Sequence, residues 1–144
     1  MPSTLQFEVT EAPSQRDLAI VDDGLERANR AAAALDAVRP LACFARDGAG
    51  RVIGGARART WGGACEVQQL WVEPALRRQG IARALMAQVE QAARARGVRV
   101  LYLDTFSFQA RPLYERCGFR VAAQIEGFPD GIARYLMVKT LEDA

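Results

Sequence analysis

The residues best suited to chemistry form a short segment rich in arginine and containing a glycine. It reads Arg77-Arg78-Gln79-Gly80-Ile81-Ala82-Arg83. Apolar residues at helical spacing follow it, so unpaired backbone N–H groups and the positive end of a helix dipole would meet the arginines at one place. Such a helix start suits phosphate groups, which guanidinium groups bind in bidentate fashion. Gly80 gives a ligand close access to the backbone. The segment fits neither G-x-x-x-x-G-K-[ST] nor G-x-G-x-x-G, and we predict a phosphate-binding loop of another kind.

The absence of histidine from the 144 residues excludes several mechanisms. Neither a Ser-His-Asp or Cys-His nucleophile nor a His-ligated zinc can be built within one chain. Lys139 is the single lysine, so the 19 basic residues include 18 arginines. These are scattered and mixed with 17 acidic residues, whereas nucleic-acid binding needs basic residues clustered on one face among aromatic ones. We therefore expect no nucleic-acid partner, and a chemistry that uses carboxylates, tyrosine, water and backbone groups.

The three cysteines, Cys43, Cys65 and Cys117, are widely spaced and include no C-x-x-C. An odd number at such spacing argues against a disulfide framework and a zinc site. It predicts small buried thiols in a reducing cytosol. The first residues lack a basic start followed by an apolar run, and no segment approaches 18 apolar residues. The sequence thus predicts a cytoplasmic protein with neither a metal nor a membrane partner.

Strands and helices alternate around the arginine-rich segment. Alternating apolar residues predict a first strand at 5–9, and Ser14-x-x-Asp17 predicts a helix start before apolar residues at helical spacing up to Leu35. Gly24 leaves open whether this is one helix or two. The other predicted strands are 41–45, 52–61, 64–72, 98–105, 119–125 and 133–138, and the other predicted helices are 80–96 and 111–117.

The element order predicts the fold class. Seven strands interleaved with helices are typical of an α/β fold with a mixed sheet. No linker, repeat or low-complexity tract interrupts the order. We therefore expect a single domain over residues 1–144.

The strand, loop and helix around Gly80 resemble the signature of the GNAT superfamily of acyl-CoA N-acyltransferases. That signature is [RQ]-x-x-G-x-[GA], and the chain has Arg77-x-x-Gly80-x-Ala82, preceded by Leu-Trp-Val-x-Pro at 70–74. A second block at 104–119 ends in the Y-x-x-x-G-F pattern that is familiar in this family. The element order also fits, so the resemblance covers nearly the whole chain. The pattern at 126–135 is similar to that of a group of small bacterial members.

The resemblance implies a mixed, mostly antiparallel twisted sheet flanked by helices and splayed between the fourth and fifth strands. It implies acetyl-CoA as the donor and no metal. The pyrophosphate would rest on the loop formed by Arg77, Arg78, Gln79, Gly80, Ile81, Ala82 and Arg83. The pantetheine arm would lie in the splay and bond the backbone of Leu70, Trp71 and Val72. Gln109 stands near a position where the family often has an asparagine that bonds this arm.

Two residues are the catalytic candidates that the resemblance implies for acetyl transfer to an amine. Tyr114 matches a position where a tyrosine often protonates the departing thiolate, and a core aromatic is the alternative interpretation. Glu66 lies on the strand before the phosphate loop, where some members carry a glutamate base; an exposed strand glutamate is the alternative. Asp104, Glu126 and Asp130 are weaker candidates for the base.

The leading function hypothesis is an N-acetyltransferase that uses direct attack in a ternary complex to acetylate a small molecule or exposed amine. A non-catalytic acyl-CoA-binding or sensor module would need the same phosphate loop and is the alternative. Asp22, Asp23 and Glu26 on the first helix are compatible with a cationic acceptor, although a solvated helix face explains them as well. Many small family members are dimers, so the resemblance also implies a possible homodimer.

Overall fold

Six strands form one sheet in the computed structural model, which describes residues 4–142. They are β1 (Arg39–Arg46), β2 (Val52–Trp61), β3 (Ala64–Val72), β4 (Val100–Phe106), β5 (Arg120–Ile125) and β6 (Arg134–Thr140). Their order across the sheet is β1-β2-β3-β4-β6-β5. Neighbouring strands are antiparallel except β3 and β4, which run parallel. The predicted mixed, mostly antiparallel sheet is confirmed.

Three helices connect or precede these strands within the described residues. They are α1 (Gln15–Ala32), α2 (Ile81–Ala95) and α3 (Arg111–Arg116), with 3-10 turns at Leu35–Ala37, Pro74–Leu76 and Pro129–Gly131. Between residues 4 and 142, none of the helices combines the length and the apolar character that crossing a bilayer requires.

Helix α1 belongs to the first of two compact units, which meet in sequence between Asp36 and Ala37. Its N-terminus is capped as predicted, because the Ser14 side chain accepts a hydrogen bond from the Asp17 N–H at 3.1 Å. Gly24 does not interrupt it. One internal glycine costs about 1 kcal/mol relative to alanine, which a capped helix of 18 residues tolerates.

The strand predicted at 5–9 is wrong. These residues have irregular backbone, and Leu5, Phe7 and Val9 are 78%, 91% and 100% exposed. An alternating pattern is only half of what a strand needs, because its ladder hydrogen bonds and its buried face both come from a neighbouring strand. The remaining predicted strands and helices are present, with small shifts at their ends.

The main core lies between α2 and one face of β1, β2 and β3, which we call the inner face. Leu85, Met86, Val89 and Ala93 form the buried stripe of α2. Small residues on β2 let the helix approach: a Cβ added at Gly54 would lie 3.4 Å from a Leu85 methyl carbon. The opposite side of the sheet is called the outer face below.

The sheet splays between β3 and β4, the two segments that were predicted to part. They pair only where residues 64–66 face residues 100–102, and beyond these positions they diverge. A β-bulge in β3 accompanies the divergence, because Arg57 pairs with Gln69 and Ala58 with Val67, which leaves Gln68 without a partner on β2. The splay lies between the third and fourth strands rather than the fourth and fifth, since 5–9 is not a strand.

Candidate active site

A cleft runs from the splay of the sheet to the N-terminus of α2. Its splay end has a volume of about 450 Å³ and is lined by both strands. Its loop end has a volume of about 840 Å³ and is lined by the segment before α2, the start of α2 and helix α3. The two ends share the lining residues Leu70, Trp71, Gln109, Ala110 and Tyr114. They therefore form one continuous cleft.

The β3 wall of the cleft offers backbone groups from alternate residues. Glu73 N–H donates to Ile53 O at 2.8 Å, so Val72 and Gly54 face each other as a pair that exchanges no hydrogen bonds. By the same alternation, Leu70 and Val72 turn their N–H and C=O groups away from β2 and towards the cleft. Trp71 directs its backbone groups to β2. Of the three predicted backbone contacts, Leu70 is therefore placed to bond a ligand through both of its backbone groups. Val72 can do so through its N–H, because its C=O accepts from Arg77 Nε. Trp71 lines the cleft without free backbone groups.

The β4 wall follows the same rule. Ser107 N–H donates to Ala133 O at 2.8 Å, which makes Phe106 a residue whose backbone points away from β6 and towards the cleft. The Gln109 side-chain oxygen accepts from that Phe106 N–H at 2.8 Å and from the Thr105 hydroxyl at 3.3 Å. The oxygen of Gln109 is thus used to close the turn after β4. Its amide NH₂ group is the part left for a ligand in the cleft.

The loop before α2 has a conformation that exposes backbone N–H groups. Arg78 and Gly80 have φ values of 65° and 81°, in the left-handed region. Gly80 is the N-cap of α2 and no side chain caps the helix, so the N–H groups of the first turn have no partner within the helix. A Cβ at Gly80 would meet no atom within 4 Å. The loop therefore leaves open space in front of the positive end of the helix dipole.

Four arginines make the loop end of the cleft electropositive, and none of its lining residues is acidic. Arg77, Arg78 and Arg83 were predicted, and Arg77 also holds the loop against β3, because its Nε donates to Val72 O at 2.9 Å. The fourth, Arg116, was missed by the sequence reasoning; its place two residues after Tyr114 in the second matched block was the available signal. Ile81 and Ala82, two of the residues predicted to bind the cofactor, line this end, whereas Gln79 is not among the lining residues.

Tyr114 lies on α3 where the two ends of the cleft meet. The residue is 8% exposed, and its ring contacts that of Phe119 edge to face, with the ring centroids 6.0 Å apart. Burial raises the pKa of the Tyr114 phenol above its ordinary value of 10.0, and the nearby Cys117 thiol adds to this. The phenol therefore keeps its proton at neutral pH and can donate it.

Glu66 lies on the outer face at the point where β3 and β4 begin to part. It pairs with Tyr102 in the sheet, and its carboxylate accepts from Arg59 Nε at 3.0 Å. Glu66 does not line the cleft, whereas Asp104 does. The structure therefore brings Tyr114 and Asp104 together along the cleft and leaves Glu66 beside its closed end.

The cysteines are free thiols, as predicted. Burial raises the pKa of the Cys65 thiol to about 11 and also raises that of Cys117. Both thiols are therefore protonated at neutral pH, which disfavours a nucleophilic cysteine. Among residues 4–142, no group of three or more acidic or cysteine side chains is arranged to hold a metal ion.

Comparison with known proteins identifies the family of this chain. The family model described as "Acetyltransferase (GNAT) family" matches residues 7–119. A blasticidin-S acetyltransferase of Streptomyces morookaense is 40% identical over 76 residues, which are 52% of this chain and 56% of that protein. The chain thus spans little more than half the length of this curated relative.

Two crystal structures share the fold. An acetyltransferase from Bacillus cereus ATCC 14579 has a TM-score of 0.78 at 22% identity, covering 93% of this chain and 98% of its own. A Bacillus anthracis str. Ames protein in complex with acetyl coenzyme A has a TM-score of 0.64 at 19% identity, covering 72% of this chain and 64% of its own. The matched family model spans most of the chain and the sheet has the same fold, so this chain belongs to the GNAT family of acetyltransferases.

Proposed function

We propose that this acetyltransferase moves an acetyl group from acetyl-CoA to a primary amine by direct attack in a ternary complex. One observation carries the proposal: a single cleft joins the uncapped N-terminus of α2 to the buried phenol of Tyr114. A donor bound by its pyrophosphate at the loop end would extend its arm along the β3 wall. Leu70 and Val72 would bond that arm, and the thioester would lie near Tyr114.

In the reaction a C–N bond replaces a C–S bond, and two protons are transferred. The amine nitrogen attacks the thioester carbonyl carbon, and a C–N bond forms. The C–S bond then breaks, and the sulfur takes a proton from the Tyr114 hydroxyl. The attacking nitrogen loses a proton to a base, so the products are an N-acetylated amine and free CoA. Both proton transfers are of the general acid–base type.

Glu66 stays our predicted base, acting through a water molecule at the closed end of the splay. Its carboxylate is oriented by Arg59 on the outer face. Asp104 is the second candidate, because it lines the cleft directly; its carboxylate lies 3.6 Å from an Arg134 nitrogen. The two carboxylates can be distinguished by the pH dependence of their variants.

We expect Glu66→Gln to lower kcat/KM by about 10²-fold at low pH, the lower range for general-base catalysis. The loss should shrink as the pH rises towards about 10.4, the pKa of an ordinary primary amine, because the acceptor then becomes neutral without help. The pH–rate profiles of the two proteins measure this. Asp104→Asn is the matched control, and a pH-dependent loss in that variant alone would assign the base to Asp104.

The proposed function itself is tested by release of free CoA from acetyl-CoA with a panel of primary amines, with mass spectrometry of the acceptors. We expect amine-dependent CoA release and an acceptor that gains one acetyl group. Tight binding of acetyl-CoA without such release from any amine would instead assign a non-catalytic acyl-CoA-binding module.

Three further predictions accompany the proposed function. Residues 1–144 are proposed to act as one catalytic domain, located in the cytoplasm. A homodimer is proposed to form through an edge strand, and β1 and β5 are the edges of the described sheet. Sedimentation of the purified chain measures the oligomeric state.

A further inference from the structure

The outer face of β1, β2 and β3 carries a second cavity, of about 560 Å³. Gln68, Gln69 and Trp71 line both this cavity and the splay end of the cleft. The cavity therefore borders the place where the proposed function puts the thioester. It approaches that place from the face opposite α2, whereas the phosphate loop approaches from the α2 side.

An aromatic row forms one end of the cavity. Phe44, Gly55 and Trp71 are cross-strand partners on β1, β2 and β3, so they lie side by side on the outer face. Gly55 has no side chain between the two aromatic residues, and a Cβ there would lie 3.0 Å from the Phe44 ring. The Phe44 ring can therefore lie close to the β2 backbone. Phe44 and Trp71 are 58% and 47% exposed. The row is therefore a half-exposed aromatic surface, and the Arg46 guanidinium carbon lies 5.9 Å from the Phe44 ring centroid at its outer end.

Two arginines stand beside the aromatic row. Arg57 pairs across β2 and β3 with Gln69, and Arg59 pairs with Glu66. The Arg59 guanidinium is held by the Glu66 carboxylate. Arg57 lines the cavity and takes part in none of the ion pairs among residues 4–142. The lining residues include no acid, so the charge of Arg57 is free to bind an anion.

We propose that this cavity is the acceptor site and that it selects primary amines bearing both a flat apolar group and a carboxylate. The inference rests on the proposed acetyl transfer and names its substrate class. The apolar group lies on the row of Phe44, Gly55 and Trp71, and the carboxylate binds the Arg57 guanidinium in bidentate fashion. Gln68 and Gln69 border the cleft and guide the amine towards the thioester. Arg57 is thus a specificity-determining residue rather than a catalytic one.

The test uses two matched pairs of acceptors that differ by a carboxylate: 4-(aminomethyl)benzoate with benzylamine, and L-phenylalanine with 2-phenylethylamine. The two amines of a pair differ in basicity, so the decisive quantity is the change in preference caused by Arg57→Gln. We expect this variant to raise KM for the carboxylated acceptors by about 10- to 100-fold, as for loss of a charged hydrogen bond. KM for the uncharged partners, kcat and KM for acetyl-CoA should stay unchanged.

Two further variants complete the design. Arg57→Lys keeps the charge without the planar fork and should restore part of the preference. Arg120→Gln removes an exposed arginine of β5, outside the cavity lining, and should change nothing. Phe44→Leu should raise KM for both members of a pair, because it removes the flat surface.

Binding is measured as well as turnover, so the result does not depend on activity. In the presence of CoA, calorimetric titration should show that 4-(aminomethyl)benzoate binds the wild-type protein more tightly than benzylamine does, and that Arg57→Gln removes the difference. Equal preference for the carboxylated acceptors in the wild type and in Arg57→Gln, in both assays, overturns the inference.

The outcomes also separate this inference from the proposed function. If amines are acetylated without a preference for the carboxylated member of each pair, the proposed function stands and only this inference fails. If no amine is acetylated, the proposed function fails and the titration still decides on the site.

Discussion

We expect Tyr114→Phe to lower kcat for acetyl transfer by at least about 10²-fold, the usual contribution of a positioned general acid. The change removes one oxygen and keeps the ring that packs against Phe119. Binding of acetyl-CoA should stay nearly the same, because the phosphate loop and the β3 wall are untouched. Single-turnover kinetics together with equilibrium binding of acetyl-CoA separate the two effects.

The pH dependence adds a second readout for Tyr114. Its pKa is raised above 10.0 by burial, so the phenol is protonated throughout the neutral range and loses its proton only above its ordinary pKa. The wild type should therefore show no loss of kcat from this group between neutral pH and about pH 10. A fall in kcat within that range that Tyr114→Phe abolishes would contradict the sign of the shift.

Tyr135→Phe is the matched control for this prediction. Tyr135 is also 8% exposed, lies on β6 and contacts the Arg111 guanidinium, whose carbon lies 4.5 Å from the ring centroid. It lines neither end of the cleft. Its variant measures what the loss of a buried phenol does to folding alone. If both variants keep kcat, the proton on the leaving sulfur comes from solvent and the role assigned to Tyr114 is wrong.

The second large effect is expected for Gly80→Ala, which should weaken acetyl-CoA binding by about 10- to 100-fold, the range for lost charge-assisted hydrogen bonds. Gly80 has a φ of 81°, and its missing side chain faces open space before the first turn of α2. An alanine there favours another backbone conformation and puts a methyl group where the pyrophosphate is expected. Fluorescence or calorimetric titration with acetyl-CoA measures the loss.

Gly97→Ala provides an unusually close control for Gly80→Ala. Gly97 follows the C-terminus of the same helix with a φ of 83°, and a Cβ there would also meet no atom within 4 Å. Left-handed backbone costs a non-glycine residue about 1–2 kcal/mol, so both variants should lose a similar free energy of unfolding. Only Gly80→Ala should weaken the binding of acetyl-CoA. Equal binding losses in the two variants would mean that the effect is one of stability.

The conformation of the loop before α2 could be predicted from the sequence because it depends on neighbouring residues alone. A strand, arginines, a glycine and an amphipathic helix follow one another along the chain, and a left-handed glycine at the start of α2 needs no distant partner. Helix α3 could be predicted for a similar reason, since Pro112 and Gly118 mark its ends. The position of Tyr114 could then be predicted, because it lies within α3.

The interior of the cleft could not be predicted in the same way, because backbone groups face one side or the other according to strand pairing. Trp71 was expected to bond the donor through its backbone, yet its pairing with Gly55 directs those groups to β2. Gln109 was expected to bond the donor as well, and the use of its side-chain oxygen by the Phe106 N–H leaves only its amide NH₂ group for that contact. The first outcome depends on Gly55, which is distant from Trp71 along the chain. The second depends on the conformation of the turn after β4.

The sequence by itself determined the element order after residue 10, the left-handed glycine loop that begins α2 and the position of Tyr114 on α3. Only the tertiary structure decided which residues of β3 face which side. Strict alternation from Glu66 puts Leu70 on the outer face with it, but the bulge at Gln68 returns Leu70 to the inner face and leaves Trp71 on the outer one. A bulge is set by the pairing of two strands, so the residues of one strand do not reveal it. That single extra residue thus decides which side chains of β3 join the core under α2 and which line the outer-face cavity.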